Sequence, residues 1–106
     1  MLPFKNRLSA DSDIKRVVTT GARIRTNIAS VYIAPSNVGA LRFACIAGKK
    51  VHKSAVVRHS VQRKIRAACK FLDIKQEQLD IVIVATTPEI RFMKVQDIAR
   101  EISHAF

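Results

Sequence analysis

LRFACIAGKKVHKSAVVRHSVQRKIRAACKFL (residues 41–72) changes its period part-way through, and that change decides the fold. From Leu41 to Ala47 the alternation is two, as in a strand: Leu41, Phe43, Cys45 and Ala47 point one way, Arg42, Ala44 and Ile46 the other. A basic loop follows over residues 48–53, and then the period becomes helical. Val57, Val61, Ile65, Ala68 and Leu72 fall at i, i+4, i+8, i+11 and i+15, so at roughly 100° per residue they share one stripe that can enter a core. Ser54 is placed to cap this helix, predicted over residues 55–72. Its opposite arc carries Arg58, His59, Gln62, Arg63, Arg66 and Lys70, a ridge of donors suited to an acidic partner. Lys49, Lys50 and Lys53 extend the ridge into the loop.

Upstream, residues 1–8 read as a short arm with Lys5 and Arg7, loose until it meets a partner. Ser9 can cap a first helix of about three turns, Asp11 and Asp13 suit the positive end of its dipole, and Gly21 can close it in the left-handed conformation. Ile14, Val17 and Val18 form its apolar side, with Lys15 and Arg16 turned outward. From Ala22 the period is two. Arg23 and Arg25 flank Ile24 in a first strand, residues 28–34 make a second, and Pro35, Ser36, Asn37 and Gly39 turn the chain into the third, residues 41–47. These three are expected to form an antiparallel meander. Downstream, residues 73–78 are a polar connection, and residues 81–85 are an apolar, β-branched strand for burial on both faces, stopped by Thr86, Thr87 and Pro88. A last helix starts near Lys94, with Val95, Ile98, Ala99, Ile102 and Phe106 at i, i+3, i+4, i+7 and i+11.

The order α-β-β-β-α-β-α over 106 residues describes one α+β domain, residues 1–106, with helices against a four-stranded mixed sheet. One layer of helices cannot cover both faces of such a sheet, so part of one face is expected to stay open to a ligand.

The net charge of +11 is unevenly distributed. Between Asp13 and Asp73 there is no acid, while thirteen Lys and Arg residues fall in that interval; from Asp73 onward six acids face four bases. An uninterrupted positive field costs stability through self-repulsion, and a polyanion that releases its counterions on binding explains it most simply. Nucleic acid is the leading partner, ahead of a solubility device or an anionic membrane. Side-chain catalysis finds little support. Phosphodiester hydrolysis calls for clustered carboxylates holding metal, or a pair of histidines. Here the acids lie outside the basic region, and His52 and His59 have no carboxylate nearby in sequence to orient them. Gly21, Gly39 and Gly48 are too scattered to cradle a phosphate. Tyr32, the only tyrosine, can stack on a base or pack in the core. Major-groove reading of DNA by the basic helix fits less well, because its bases spread around the whole exposed arc rather than one end. Cys45 and Cys69 stand apart and read as free thiols of a reducing cytoplasm. No apolar run approaches membrane-spanning length and MLPFKNRL lacks a signal-peptide apolar region, so a cytoplasmic protein with no membrane partner is expected.

Residues 41–66 resemble the bacterial ribonuclease P protein subunit, in which a strand runs into a Ser-Lys-Lys loop and then a helix opening on Arg-Asn-Arg. Asn-Arg-Leu at residues 6–8, Gly21, Tyr32 and Asp80-Ile81-Val82 support the likeness along the rest of the chain. The resemblance implies a left-handed βαβ crossover, which fold rules alone disfavour. It implies RNA contacts at Lys49, Lys50, Arg58, Arg63 and Arg66, to which the basic loop and helix arc add Lys53, His59, Gln62 and Lys70 as the expected RNA-binding set, and it implies a cleft for the 5′ leader of precursor tRNA, expected to be lined by Ile14, Val18, Tyr32 and Arg42. It also implies one protein per ribonuclease P RNA, with that RNA performing a Mg²⁺-dependent 5′ maturation of tRNA and holding most of the metal, so that no catalytic side chain is expected here. The chain departs from the family at Gly48 for Ser, His59 for Asn, Ser60 for Arg, Gln62 for a base, Ala44 for Gly, and Ile14 and Val18 for phenylalanines. The competing readings are a ribosomal or other structural RNA-binding protein on a related fold, and a self-sufficient basic nuclease, which the missing acids disfavour.

Overall fold

Helix α1 (Asp11–Thr20) carries Asp11 and Asp13 in its first turn, where a carboxylate meets the positive end of the helix dipole. The structure, a computed structural model, describes residues 7, 8, 11–72, 74 and 78–106, so the Ser9 cap expected ahead of α1 lies outside the described residues. Strands β1 (Ala22–Arg25), β2 (Ala29–Pro35) and β3 (Arg42–Ile46) follow, then α2 (Ala55–Ala68), β4 (Leu79–Ala85) and α3 (Val95–Ser103), in the expected order. Two 3₁₀ turns, Cys69–Phe71 and Pro88–Phe92, were not foreseen. The first ends α2 at Ala68 instead of Leu72.

The sheet runs β1-β2-β4-β3, with β1–β2 and β2–β4 antiparallel and β4–β3 parallel. The expected meander therefore fails at one joint, because β4 lies between β2 and β3. The cause is burial. Asp80, Ile81, Val82 and Ile83 of β4 are all buried, which only an interior strand sustains, whereas β3 keeps half-buried residues and takes an edge. Helix α2 supplies the long crossover that parallel β3 and β4 require. The outer edge of β3 is covered in turn: Arg7 bridges Phe43, Leu8 N–H donates to the Phe43 carbonyl at 2.7 Å, and Leu8 is buried. This end of the expected loose arm is docked, which shields an otherwise unpaired edge.

On one face, Val61, Ile65 and Ala68 of α2 and Ile98 and Ile102 of α3 pack on Val31, Phe43, Ile81 and Ile83. Phe106 does not continue the α3 stripe. The helix stops at Ser103, the chain turns, Ala105 is buried, and Phe106 is left 44% exposed. On the other face α1 stands alone, with Val17 and Ile14 against Ala34, Ala44, Val82 and Leu8. Tyr32, Ile46 and Val84 are only half-buried there, so this face is partly open, as the layer argument anticipated.

Gly21 ends α1 without the left-handed turn expected of it; among the described residues only Gly39 has a positive φ, 69°. What Gly21 provides is room. A Cβ there would lie 2.5 Å from the Val17 carbonyl oxygen and 2.8 Å from that of Ile33, both unyielding backbone. Gly21→Ala is expected to lower stability by about 1–3 kcal/mol through overpacking. The urea midpoint should fall at unchanged slope; an unchanged midpoint would contradict this close approach of α1 to β2.

Candidate nucleic-acid interface

The basic loop is held rather than slack. Val51 is buried and its N–H donates to the Gly48 carbonyl at 3.0 Å, while His52 Nδ1 accepts the Ser54 N–H at 3.0 Å. The neutral His52 ring must then carry its proton on Nε2. Lys49, Lys50 and Lys53 project from this turn into solvent. Ser54 caps α2 as expected, its Oγ accepting the Val57 N–H. With Val61, Ile65 and Ala68 seated in the core, His59, Arg63 and Lys70 are exposed, and Arg58, Gln62 and Arg66 are half-buried along one flank. Lys64 occupies the other flank and donates to the Met93 carbonyl at 2.8 Å. Ion pairs among the described residues take Arg16, Arg42 and Arg100, leaving the ridge and loop cations without carboxylate partners.

Arg66 also reaches the β3 edge of the sheet, where residues of both faces meet. With Arg7, Leu8, Ile14 and residues 43–46 it lines a cleft of about 250 Å³. Of the four cleft residues expected from the sequence, Ile14 lines this hollow. Half-buried Tyr32 lies on the same face, packed against the α1 cluster, whereas Val18 is 38% exposed and lines neither the hollow nor that cluster. Arg42 differs. Its Nε and Nη2 clamp the two carboxylate oxygens of fully buried Asp80 at 2.8 Å each, and Nη2 also reaches Asn37 Oδ1 at 3.1 Å. The hydrogen bond to Asp80 outweighs burial and raises the Arg42 pKa above its ordinary value. Arg16, expected to face outward, donates to the same Asp80 and to the Pro35 carbonyl. Both arginines thus pin α1 across β3 and β4, and Arg42 is an anchor rather than a free donor. A carboxylate inside the apolar run LDIVIVA was the available signal, since a buried charge demands a partner.

Sequence reading also missed Arg23 and Arg25. Register places Arg23 opposite Tyr32 and Arg25 opposite Ser30, so two exposed cations rim the open half of the face. Cys45 and Cys69 are free, as expected, but adjacent: Cys69 hydrogen-bonds Cys45, and that bond together with burial pushes the Cys69 thiol well up, which makes it a poor nucleophile. Among the described residues no group of three His, Cys, Asp or Glu side chains could hold a metal ion, and no helix is long and apolar enough to cross a membrane.

A family model described as Ribonuclease P matches residues 2–106. The chain belongs to the ribonuclease P protein family. The "Ribonuclease P protein component" of Picosynechococcus sp. is 32% identical over 71 residues, 67% of this chain and 61% of that protein's length. The same component of Exiguobacterium sibiricum is 29% identical over 102 residues, 94% of this chain and 86% of that one. The fold is that of the Staphylococcus aureus RNase P protein, with a TM-score of 0.74 at 22% identity, covering 93% and 90% of the two chains. For a member of the ribonuclease P protein family, the departures at the start of α2 fall off the core stripe: His59 is exposed and Ser60 half-buried, whereas Val61, Ile65 and Ala68 are buried.

Proposed function

We propose that this chain is the protein subunit of ribonuclease P, binding the catalytic RNA along α2 and the basic loop and receiving the 5′ leader of precursor tRNA on the half-open face beside α1. The observation that carries this reading is the position of Arg66, which belongs both to the α2 ridge and to the wall of the sheet cleft. An RNA on the helix and a strand in the cleft would meet at one unpaired cation, offsetting repulsion between their phosphates. Tyr32, Val84 and Ile46 offer an extended leader an apolar floor, and Arg23 and Arg25 a positive rim. The described residues do not furnish a metal site, because the buried carboxylate is consumed by two arginines. In this reading Mg²⁺ is the RNA's, and the protein contributes to a tRNA-processing endoribonucleoprotein by positioning and charge, one protein per RNA.

Arg58→Ala and Arg66→Ala are each expected to weaken RNA binding by about 1 kcal/mol and to reduce the slope of log K against log salt by about one. Filter binding to ribonuclease P RNA across a salt series measures both quantities. A slope unchanged in both variants would remove these side chains from the interface.

A further inference from the structure

Phe92 is the most exposed aromatic residue among those described, at 76%, and it is not on a loose segment. It closes the 3₁₀ turn Pro88–Phe92, which fully buried Ile90 anchors in the core. The next residue, Met93, donates its N–H to the Ile90 carbonyl at 3.1 Å and accepts Lys64 Nζ from α2 at 2.8 Å. The ring is thereby held out beside the flank of α2 opposite the sheet cleft. The Arg91 guanidinium lies over it, 4.5 Å from the ring centroid, and Arg91 Nε is buried without a hydrogen-bond partner. Neither Arg91 nor neighbouring Lys94 meets a carboxylate among the described ion pairs.

We infer that Phe92 and Arg91 form a stacking site for an unpaired nucleobase of the RNA that lies along α2. The inference rests on the proposed RNA-binding function and adds a site to it. An aromatic face is a sequence-tolerant platform for a base, and a guanidinium behind the ring adds a cation–π contact. Arg91 covers one side of the Phe92 ring and the other is open to the base, while Arg91, Lys64 and Lys94 supply positive charge for the flanking phosphates. RNA on α2 would then be gripped along both flanks of the helix, at Arg66 on one and at Phe92 on the other.

The chain contains no tryptophan, so Phe92→Trp introduces a single indole reporter at the site. Titration with ribonuclease P RNA should quench its emission, saturating together with binding followed independently by filter retention. Phe92→Ala should weaken binding about tenfold at an unchanged salt slope, since stacking is lost and no charge is removed, and Phe92→Tyr should restore most of the affinity. The side chain is exposed, so these variants should keep the wild-type far-ultraviolet dichroism. An indole unquenched in a saturated complex, or full affinity in Phe92→Ala, would overturn the stacking site alone. Wild-type protein binding this RNA no better than an unrelated basic protein would overturn the proposed function and the site with it.

Discussion

Asp80→Ala is expected to cost about 3–5 kcal/mol of folding stability, a large fraction of what a domain of this size possesses. Asp80 is fully buried in the central strand, and its carboxylate receives Arg42 in a bidentate clamp and Arg16 besides. Removing it leaves the Arg42 side chain, 14% exposed, with only the looser contact of Nη1 to Asp13 at 3.7 Å as counter-charge, inside a chain whose net charge is already +11. Arg16 suffers less, because at 31% exposure it can turn toward water. Urea denaturation measures the loss, and Asp80→Asn, which keeps the shape and some hydrogen bonding, should fall between wild type and Asp80→Ala. Adding Arg42→Leu to Asp80→Ala removes the stranded guanidinium and should recover part of the deficit. A loss below about 1 kcal/mol in Asp80→Ala would mean that both arginines find other partners, and that α1 is not pinned by this network.

Ile65→Ala should destabilise by about 2–5 kcal/mol, the range for deleting a fully buried aliphatic side chain and leaving a partly collapsed cavity. Ile65 is central in the α2 stripe, between Val61 and Ala68, while Arg66 next to it faces RNA in the proposed function. The two neighbours therefore predict opposite patterns. Ile65→Ala should lower the urea midpoint and leave the salt slope of RNA binding unchanged under conditions where the variant is folded; Arg66→Ala should lower the slope with little change in midpoint. A reduced slope in Ile65→Ala would show that the two arcs of α2 are not independent.

What the sequence made legible was whatever rests on local period. The helical stripe read from Val57 to Leu72 holds in α2 at Val61, Ile65 and Ala68, so its core face and its basic arc could both be assigned, and Ser54 stood one residue ahead of the helix as a cap. Alternation in β3 correctly divided Phe43 and Cys45 from Ala44 and Ile46. Period two reports which face a residue takes but not which strand lies beside it, and for that reason the place of β4 between β2 and β3 was missed. The same ignorance of register hid the Arg42–Asp80 clamp, formed across thirty-eight positions, and the pairing of Arg23 with Tyr32. Gly21 was read as a left-handed stop at the end of the first helix, when the deciding quantity was a distance to β2 that no local pattern encodes. Phe92 drew no notice because it lies in a short 3₁₀ turn, where neither helical nor strand period applies.

The central claim is that this chain assists an RNA in maturing tRNA, and reconstitution tests it most directly. Ribonuclease P RNA is incubated at low Mg²⁺ with a precursor tRNA bearing a 5′ leader, with and without the protein, and with an unrelated basic protein as control. The account predicts cleavage at the mature 5′ end that the protein accelerates and the control does not, with no cleavage by the protein alone. Acceleration no greater than the control's would contradict it.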